Sequence, residues 1–328
     1  ILRSAAGSPY ILISSFSGMG MAPKPVKKKT IGFIGLGLMG RAFSQNLLAD
    51  GHAVVGTDPA ADARRKFQRL GGRPLGSPRE VAEAADILFI SVPNSKISLQ
   101  TSQGKDGYLA FSPGKAPGAV LDTTTSDPAD SRKHAALCGR KGVSYLDASV
   151  SGNSAFAARR EGTFLVGGDK KAYLKVEPLL ASLLSDCVYC GASGMGASMK
   201  VAVNYLTSMG RCVIAETLRL GLRSGFKREF FLEALLRSRA GGWRQLRDMG
   251  PRMIRQDFSN PASTVDVLAK DIQLGLTLGA RVGAQTPIGR AGLPLYKECQ
   301  KAGYGGLDST ALYLAYVDRE KKKGRRGK

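Results

Sequence analysis

Lys200 is the residue whose surroundings most strongly suggest proton transfer. It stands between Met199 and Val201, with two more apolar residues following. Burying a cation is costly unless the charge is paired or its pKa falls, and a lysine with a lowered pKa can take up and return a proton near neutral pH. Asn204 lies four residues on, on the same face of a helix. The segment predicts a catalytic pair, against the alternative of a surface lysine with a buried stem.

A glycine-rich turn near the amino end has the spacing of a dinucleotide site. An apolar run leads into Gly35, Gly37 and Gly40. In this spacing the first glycine permits the sharp turn, the second lets a pyrophosphate approach the backbone, and the third lets the helix pack on the strand. Leu38 and Met39 complete the turn at the start of that helix, whose free N–H groups face the phosphates.

An acidic residue stands where a dinucleotide ribose is expected. The apolar run 53–57 ends in Asp58, 23 residues after Gly35. At a spacing of about 20 residues an acid can accept hydrogen bonds from the adenosine ribose hydroxyls. The same carboxylate would repel a 2′-phosphate, so NAD is predicted as the cofactor. Arg64 and Arg65 on the next helix could reach a phosphate, so NADP stays possible.

Alternating strand and helix patterns follow the turn, with strands at 53–57, 87–92 and 118–122 and a helix at 61–70. A capping box at 77–80 begins another helix. This alternation predicts an α/β fold with a doubly wound, parallel-sheet Rossmann domain. In such sheets ligands bind beyond the carboxyl ends of the strands. The loops predicted at that edge contain Pro93 and Asn94, then Thr125, then residues 147–153.

The second half of the chain has a different pattern. From 194 to about 222, apolar residues occupy nearly every side of a helical wheel, as in a long buried helix. Helical patterns recur at 228–239, 243–255, 263–282 and 288–302 without a convincing strand. We therefore expect a leader at 1–29, a Rossmann domain at 30–193, an all-helical substrate and oligomerisation domain at 194–318, and a basic tail at 319–328.

Charge and composition narrow the possible functions. About half of the net charge of +22 lies in the two tails, and the basic remainder would attract an anionic dinucleotide and an acid substrate rather than nucleic acid. No apolar run reaches the ~18 residues of a membrane span. Five cysteines favour a reducing compartment, hence the cytoplasm. The Ser-rich, acid-free stretch 1–18 leaves the mitochondrial matrix as the alternative. The pair Cys187 and Cys190 and both histidines, His52 and His134, are interpreted as structural.

Four motifs in order give the chain a family resemblance. The segment 32–40 resembles the cofactor signature of β-hydroxyacid dehydrogenases of the 3-hydroxyisobutyrate dehydrogenase type. Residues 147–153 resemble the family's D-x-P-V-S-G-G, 194–204 its G-x-G-x-x-x-K-x-x-x-N, and 270–272 its K-D-L. The resemblance covers about 30–318. Residues 263–270 further resemble the L-threonate dehydrogenase branch.

The resemblance implies specific roles for site residues. Lys200 would be the general acid and base, and Asn204 would hold it and the substrate. Ser151 and Gly152 would bind the carboxylate of a small acid. The cofactor would contact Thr125 and Lys270. The chain is also expected to form a homodimer or homotetramer.

Two departures from the motifs leave the substrate open. Ser149 replaces a proline and Asn153 replaces the second glycine of the substrate motif. The expected reaction is reversible oxidation of a 3-hydroxy acid. The alternatives are a glyoxylate or succinic semialdehyde reductase on the same fold and a non-catalytic, chromatin-associated cofactor-binding module. Imine reductases look alike but usually replace the lysine, which this chain retains.

Overall fold

The computed structural model describes the backbone of residues 27–326 and the side chains of residues 27–321. Most of the expected leader and the last two residues of the basic tail therefore lie outside the described residues. The strands are β1 Thr30–Ile34, β2 Ala53–Thr57, β3 Arg73–Pro74, β4 Ile87–Ile90, β5 Ala119–Asp122, β6 Ser144–Ser151, β7 Thr163–Gly168 and β8 Asp186–Gly191. Helices of the same half are α1 Leu38–Ala49, α2 Ala61–Arg69, α3 Pro78–Ala84, α4 Ser95–Thr101, α5 Pro128–Arg140, α6 Ser154–Ala158 and α7 Lys170–Leu183.

The eight strands form one sheet in the order β3-β2-β1-β4-β5-β6-β7-β8. Strand order runs outward in both directions from β1 and β4, which is the doubly wound arrangement that the alternation predicts. Both faces are covered by helices, so central strands such as β4 are apolar and buried throughout. Phe33 of β1 stacks on Phe89 of β4 with ring centroids 5.0 Å apart, and this contact lies in the main core.

One strand pair departs from the parallel sheet that was expected, because β6 and β7 are antiparallel. The reason is the length of their connection. A parallel pair needs a crossover that returns along the whole strand. Residues 152–162 join the two strands, which is fewer than the dozen or more that a parallel crossover takes, and α6 accounts for five of them. The chain therefore turns back directly into β7.

The remaining residues form a helical domain around one long helix. Helix α8, Met195–Arg223, runs through it, and the isolated bridge between Thr264 and Asp308 is the only β pairing described beyond Gly191. The expected helices are present with ends shifted by a few residues, and a last helix was not predicted. They are α9 Arg228–Arg237, α10 Arg244–Arg255, α11 Val265–Val282, α12 Pro287–Lys301 and α13 Leu312–Arg326, with short 3-10 turns at Arg239–Gly242 and Ser309–Ala311.

The described part of the basic tail is helical. Helix α13 continues to Arg326, past residue 318, where the basic tail was expected to begin. Glu320 pairs with Arg219 of α8, and Arg319 contacts Glu298 of α12 at 2.7 Å. These ion pairs attach the start of the tail to the helical domain. Within residues 27–326, no helix is long and apolar enough to cross a membrane.

Candidate active site

The three glycines of the turn meet different surroundings. Gly35 has φ +96°, and a Cβ there would lie 2.2 Å from the carbonyl oxygen of Ser91. A Cβ on Gly40 would lie 2.1 Å from the carbonyl oxygen of Gly35, so the fold itself excludes side chains at both positions. A Cβ on Gly37 would meet no described atom within 4 Å. The middle glycine therefore borders open space in front of the α1 N-terminus, where a phosphate group fits.

Of the two residues after Gly37, one is exposed and the other packs against the core. Leu38 is 65% exposed at the first position of α1, and Met39 packs against the main core. The backbone N–H of Leu36 donates to Oδ2 of Asp58 across 2.8 Å, and that of Ala60 donates to Oδ1, also at 2.8 Å. Asp58 therefore both borders the turn and holds its shape.

Arg64 lies beside Asp58, whereas Arg65 does not. The Arg64 guanidinium contacts the carbonyl oxygens of Asp58 and Pro59, the latter at 3.1 Å. Arg65 instead pairs with Asp62 on its own helix at 3.7 Å. Of the two arginines that could reach a 2′-phosphate, Arg64 is the one already positioned at the end of β2.

The loops after β4 and β5 are joined to each other. Pro93 is exposed, and the side-chain oxygen of Asn94 accepts from the N–H of Ile97, capping α4. Thr124 accepts a hydrogen bond from the N–H of Val92 at 3.3 Å. The half-buried hydroxyl of Thr125 makes no hydrogen bond to any described residue. This hydroxyl is therefore available to a ligand at the carboxyl edge of the sheet.

Asp147 connects the predicted substrate loop to α8. Its carboxylate accepts the N–H of Gly194 and the N–H of Ala197, each at 2.8 Å. Burial raises the pKa of this carboxyl, while the two N–H donors act in the opposite direction. The motif that contains Asp147 was predicted to bind substrate, but its positioning role was not. It fixes the first turn of α8 against the strand that ends at Ser151.

Some polar groups of the predicted substrate loop have no hydrogen-bond partner among the described residues. The Ser151 hydroxyl makes no hydrogen bond to a described residue, and Gly152 is exposed. Asn153 caps α6 by accepting the Phe156 N–H at 3.0 Å. The Ser149 hydroxyl donates to the carbonyl of Thr124 at 3.3 Å. A proline at this position has no side-chain donor and could not make this bond.

Lys200 of α8 is 8% exposed and lies within electrostatic range of Asp271 and Lys270 of α11. Burial lowers the pKa of Lys200 to about 8. Repulsion from Lys270 also lowers this pKa, whereas attraction from Asp271 raises it. Its Nζ makes no hydrogen bond to any described residue. A lysine in this state is poised to exchange a proton near neutral pH.

Asp271 is a residue whose role the sequence did not identify. It is 3% exposed on α11, and its Oδ2 accepts the Asn204 amide at 2.8 Å. The Lys270 ammonium lies 3.4 Å from Oδ1. Burial raises the pKa of this carboxyl, which the two lysines counteract. The K-D-I motif contains it, but spacing alone cannot tell which residue of α8 a residue of α11 will meet.

An ion pair joins the helical domain to the cofactor edge. Arg281 of α11 makes two contacts with Asp127, at 2.7 and 3.2 Å. Asp127 caps α5 immediately after the loop that contains Thr125. The Arg281 guanidinium lowers the pKa of the Asp127 carboxyl. Lys270 and Arg281 therefore place two cations of α11 along the same domain boundary.

The histidines and the cysteine pair lie in structural surroundings. His52 accepts the N–H of Lys29 at 3.2 Å. The buried His134 contacts the hydroxyl of Tyr108 through Nε2 at 2.6 Å. Cys187 and Cys190 are half-buried on β8, and the described residues contain no group of three metal-ligating side chains.

Comparisons with known proteins agree with this arrangement. Residues 30–191 match the family model described as the NAD binding domain of 6-phosphogluconate dehydrogenase. Residues 194–316 match the model described as NAD-binding of NADP-dependent 3-hydroxyisobutyrate dehydrogenase.

Relatives of similar length match nearly the whole chain. Mitochondrial 3-hydroxyisobutyrate dehydrogenase of Rattus norvegicus is 30% identical over 304 residues, 87% of this chain and 86% of the relative. NAD-dependent L-serine dehydrogenase of Pseudomonas aeruginosa is 31% identical over 291 residues, 87% and 96% of the two chains. Among solved structures, 3-hydroxyisobutyrate dehydrogenase of Mycobacterium tuberculosis with L-serine is 27% identical, with a TM-score of 0.79 and coverage of 88% and 99%.

Proposed function

The chain belongs to the β-hydroxyacid dehydrogenase family, and from that premise we propose that it oxidises a small 3-hydroxy acid reversibly, with Lys200 as general acid and base. Family membership supports an NAD(P)-dependent dehydrogenase acting on hydroxy acids. The single observation that carries the finer assignment is the state of Lys200, which is buried, has a pKa of about 8 and has no hydrogen bond to a described residue.

In the proposed oxidation, Lys200 removes the proton of the substrate hydroxyl as hydride leaves the carbon that bears it. The nicotinamide, when bound, supplies the hydride acceptor. One proton and one hydride leave the substrate, and the alcohol becomes a carbonyl. In reduction the protonated lysine donates its proton to the carbonyl oxygen. Asp271 attracts the ammonium form of Lys200 and stabilises it electrostatically once the proton has been taken.

Several residues fit the cofactor. The open space at Gly37 and the free end of α1 suit a pyrophosphate. The carboxylate of Asp58, beside the glycine turn, would accept from the adenosine ribose hydroxyls, and the Thr125 hydroxyl, which has no hydrogen bond to a described residue, lies at the same sheet edge. We assign NAD as the preferred cofactor, with NADP possible through Arg64.

The proposed substrate is a small carboxylate. Ser151 offers an unpaired hydroxyl and Gly152 an exposed backbone, and Asn153 holds the following helix in place. Lysines 200 and 270 add positive charge on the α8 and α11 side. 3-Hydroxyisobutyrate and L-serine, which appear in the names of relatives, are both 3-hydroxy acids, and this supports the class while leaving the individual acid open.

A homo-oligomer is proposed from an exposed apolar stripe on α8. Met199, Leu206, Val213 and Leu220 recur every seven residues and are between 45% and 70% exposed. A seven-residue repeat places them along one side of the helix, as in helices that pair. We propose that this stripe packs against a second copy in a dimer or tetramer. For the compartment we propose the cytoplasm, with the mitochondrial matrix as alternative, since both keep the five free thiols reduced.

A substrate screen tests the proposed reaction. 3-Hydroxy acids with and without a second carboxylate, and matched 2-hydroxy acids, are incubated with NAD, and formation of reduced nicotinamide is followed by absorbance. We expect turnover with at least one 3-hydroxy acid and none above background for the Lys200→Ala variant. Turnover confined to 2-hydroxy acids, or retained by the variant, would contradict the proposal.

A further inference from the structure

Arg211 is a buried cation that the proposed reaction does not use. It lies on α8 seven residues after Asn204 and eleven after Lys200, which places all three on one helix face. Arg211 is 7% exposed, and its hydrogen bonding to described residues is limited to one bond from Nη1 to the carbonyl of Thr207, at 3.0 Å. Its Nε is buried without a partner. An arginine cannot relieve this situation by losing its proton.

The nearest acids are committed to other cations. Asp271 accepts from Asn204 and lies 3.4 Å from Lys270. Asp308 forms an ion pair with Arg252 at 3.0 Å. Both attract Arg211 at longer range, but among residues 27–321 no carboxylate oxygen lies within 4.0 Å of its guanidinium. The charge of Arg211 therefore lacks a dedicated partner within the described chain.

Gln245 of α10 lies next to this guanidinium. Its Nε2 donates to the same Thr207 carbonyl at 3.2 Å, so the two side chains share one acceptor. Its Oε1 is buried and unpartnered. Gly210 makes room for it, because a Cβ there would lie 2.0 Å from that oxygen. The Nε of Arg211 and the Oε1 of Gln245 are thus both unpaired, on two side chains that share one acceptor.

We propose that Arg211 and Gln245 form a subsite for an anionic oxygen group, and that the group is a second carboxylate at the far end of the hydroxy-acid substrate. The Nε and Nη2 edge of arginine binds a carboxylate through two parallel hydrogen bonds, and the Gln245 oxygen can accept from a hydroxyl or water on the same ligand. The assignment to substrate rests on the proposed function.

The position of the subsite indicates an elongated substrate. The eleven helical residues from Lys200 to Arg211 span about 16 Å, and the Arg211 side chain shortens this distance by reaching back four residues to Thr207. The second anionic group would therefore be separated from the reacting carbon by several atoms. A free anion such as phosphate could bind the same edge of the Arg211 guanidinium. The experiments below distinguish a free anion from a carboxylate of the substrate.

Calorimetric titration of the NAD-bound protein compares acids of equal chain length. Succinate, glutarate, adipate and pimelate are paired with butyrate, valerate, hexanoate and heptanoate. We expect one dicarboxylate to bind at least about tenfold more tightly than its partner, since hydrogen bonds to charged groups are the strong ones. Arg211→Met should abolish this preference, and Arg211→Lys should keep part of it. Equal affinity within every pair would contradict the proposal that the anionic group is a second carboxylate of the substrate.

Thermal unfolding tests whether a free anion binds at Arg211. At constant ionic strength, inorganic phosphate should raise the midpoint of wild type and not of Arg211→Met if a free anion fills the subsite. Gln245→Glu provides an internal carboxylate beside Arg211, so it should raise the midpoint and remove both the phosphate response and the dicarboxylate preference. This variant keeps the test decisive if Arg211→Met does not fold. No dicarboxylate preference and no phosphate response in wild type would overturn the subsite.

The Lys200→Ala variant separates this inference from the proposed reaction. Binding does not require turnover, so the dicarboxylate preference should persist in that variant. If the acid screen finds no turnover while the preference is present, the reaction is wrong and the subsite stands. If turnover is found without an Arg211-dependent preference or phosphate response, the reaction stands and the subsite is wrong.

Discussion

Asn204 of α8 donates from Nδ2 to Oδ2 of Asp271 on α11 across 2.8 Å, and this bond fixes the carboxylate that attracts Lys200. The three residues link two helices into one unit. Without these neighbours, only the rotamer preferences of its side chain would restrict the position of the Lys200 amine. With Asp271 fixed by Asn204, Lys200, the proposed proton-transfer group, has a stable electrostatic environment as well as a lowered pKa.

The pH dependence of turnover should follow the Lys200 pKa of about 8. Oxidation needs the neutral amine, so kcat/KM for oxidation should rise through about pH 8. Reduction needs the ammonium form, so its kcat/KM should fall over the same range. Asp271→Asn removes an attraction that favours the charged form, so both profiles should move to lower pH, by about one unit or more.

Rate measurements in both directions from pH 6 to 10 check the assignment. Glu298→Gln, a change on α12 at the contact with Arg319, serves as the control and should leave both midpoints in place. Profiles that do not respond to Asp271→Asn would show that another group sets the pH dependence.

Substitutions in the glycine turn should separate binding from folding. Gly37→Val should fold with an unchanged thermal midpoint and lose cofactor binding, because its side chain enters open space that the pyrophosphate needs. Gly40→Ala should instead lower the midpoint, since its Cβ would lie 2.1 Å from a backbone oxygen. Calorimetric titration with NAD and thermal unfolding measure the two effects. Normal NAD affinity in Gly37→Val would mean that the turn serves only the fold.

Cofactor choice should depend on Asp58 and Arg64 in opposite directions. Asp58→Asn should lower the ratio of kcat/KM for NAD to that for NADP, because it removes the charge that repels a 2′-phosphate. Arg64→Ala should raise the ratio, because this guanidinium lies at the end of β2. Arg65→Ala is the matched control, since Arg65 pairs with Asp62. A wild-type preference for NADP, or a ratio indifferent to Asp58→Asn, would show that Asp58 does not read the ribose.

The α8 stripe should determine the assembly state. Leu206→Glu with Val213→Glu places two charges on the exposed apolar face and should convert the oligomer to a monomer. Leu174→Glu, at a 53% exposed position on α7, is the control and should leave the mass unchanged. Light scattering coupled to size exclusion measures the mass. A wild-type monomer would remove the proposed interface.

Local spacing was sufficient to predict the glycine turn, much of the order of strands and helices, and the burial of one lysine. The Gly35 turn, the alternation of strand and helix and the buried Lys200 all follow from residues close together in the sequence. Contacts between distant elements were not predictable in this way. Examples are Asp271 meeting Asn204, Asp147 holding the start of α8, and the antiparallel pairing set by the short connection to β7.

The order of the charged carboxyl end could also not be predicted from composition. A run of basic residues resembles a solvated tail, and the sequence contains nothing nearby that would order it. The structure supplies the partners from distant helices, with Arg219 facing Glu320. The surroundings of Arg211 could not be predicted for the same reason, because they include Gln245 of α10 and, at longer range, Asp271 and Asp308.

The most direct test of the central claim is the Lys200→Ala variant, assayed for turnover and NAD binding in parallel, with Lys297→Ala as an exposed control. Acid and base groups contribute roughly 10²- to 10⁴-fold. We therefore expect kcat to fall by at least that lower factor while the Kd for NAD stays nearly unchanged. Retention of more than about a tenth of the wild-type rate would contradict the role of Lys200 in proton transfer.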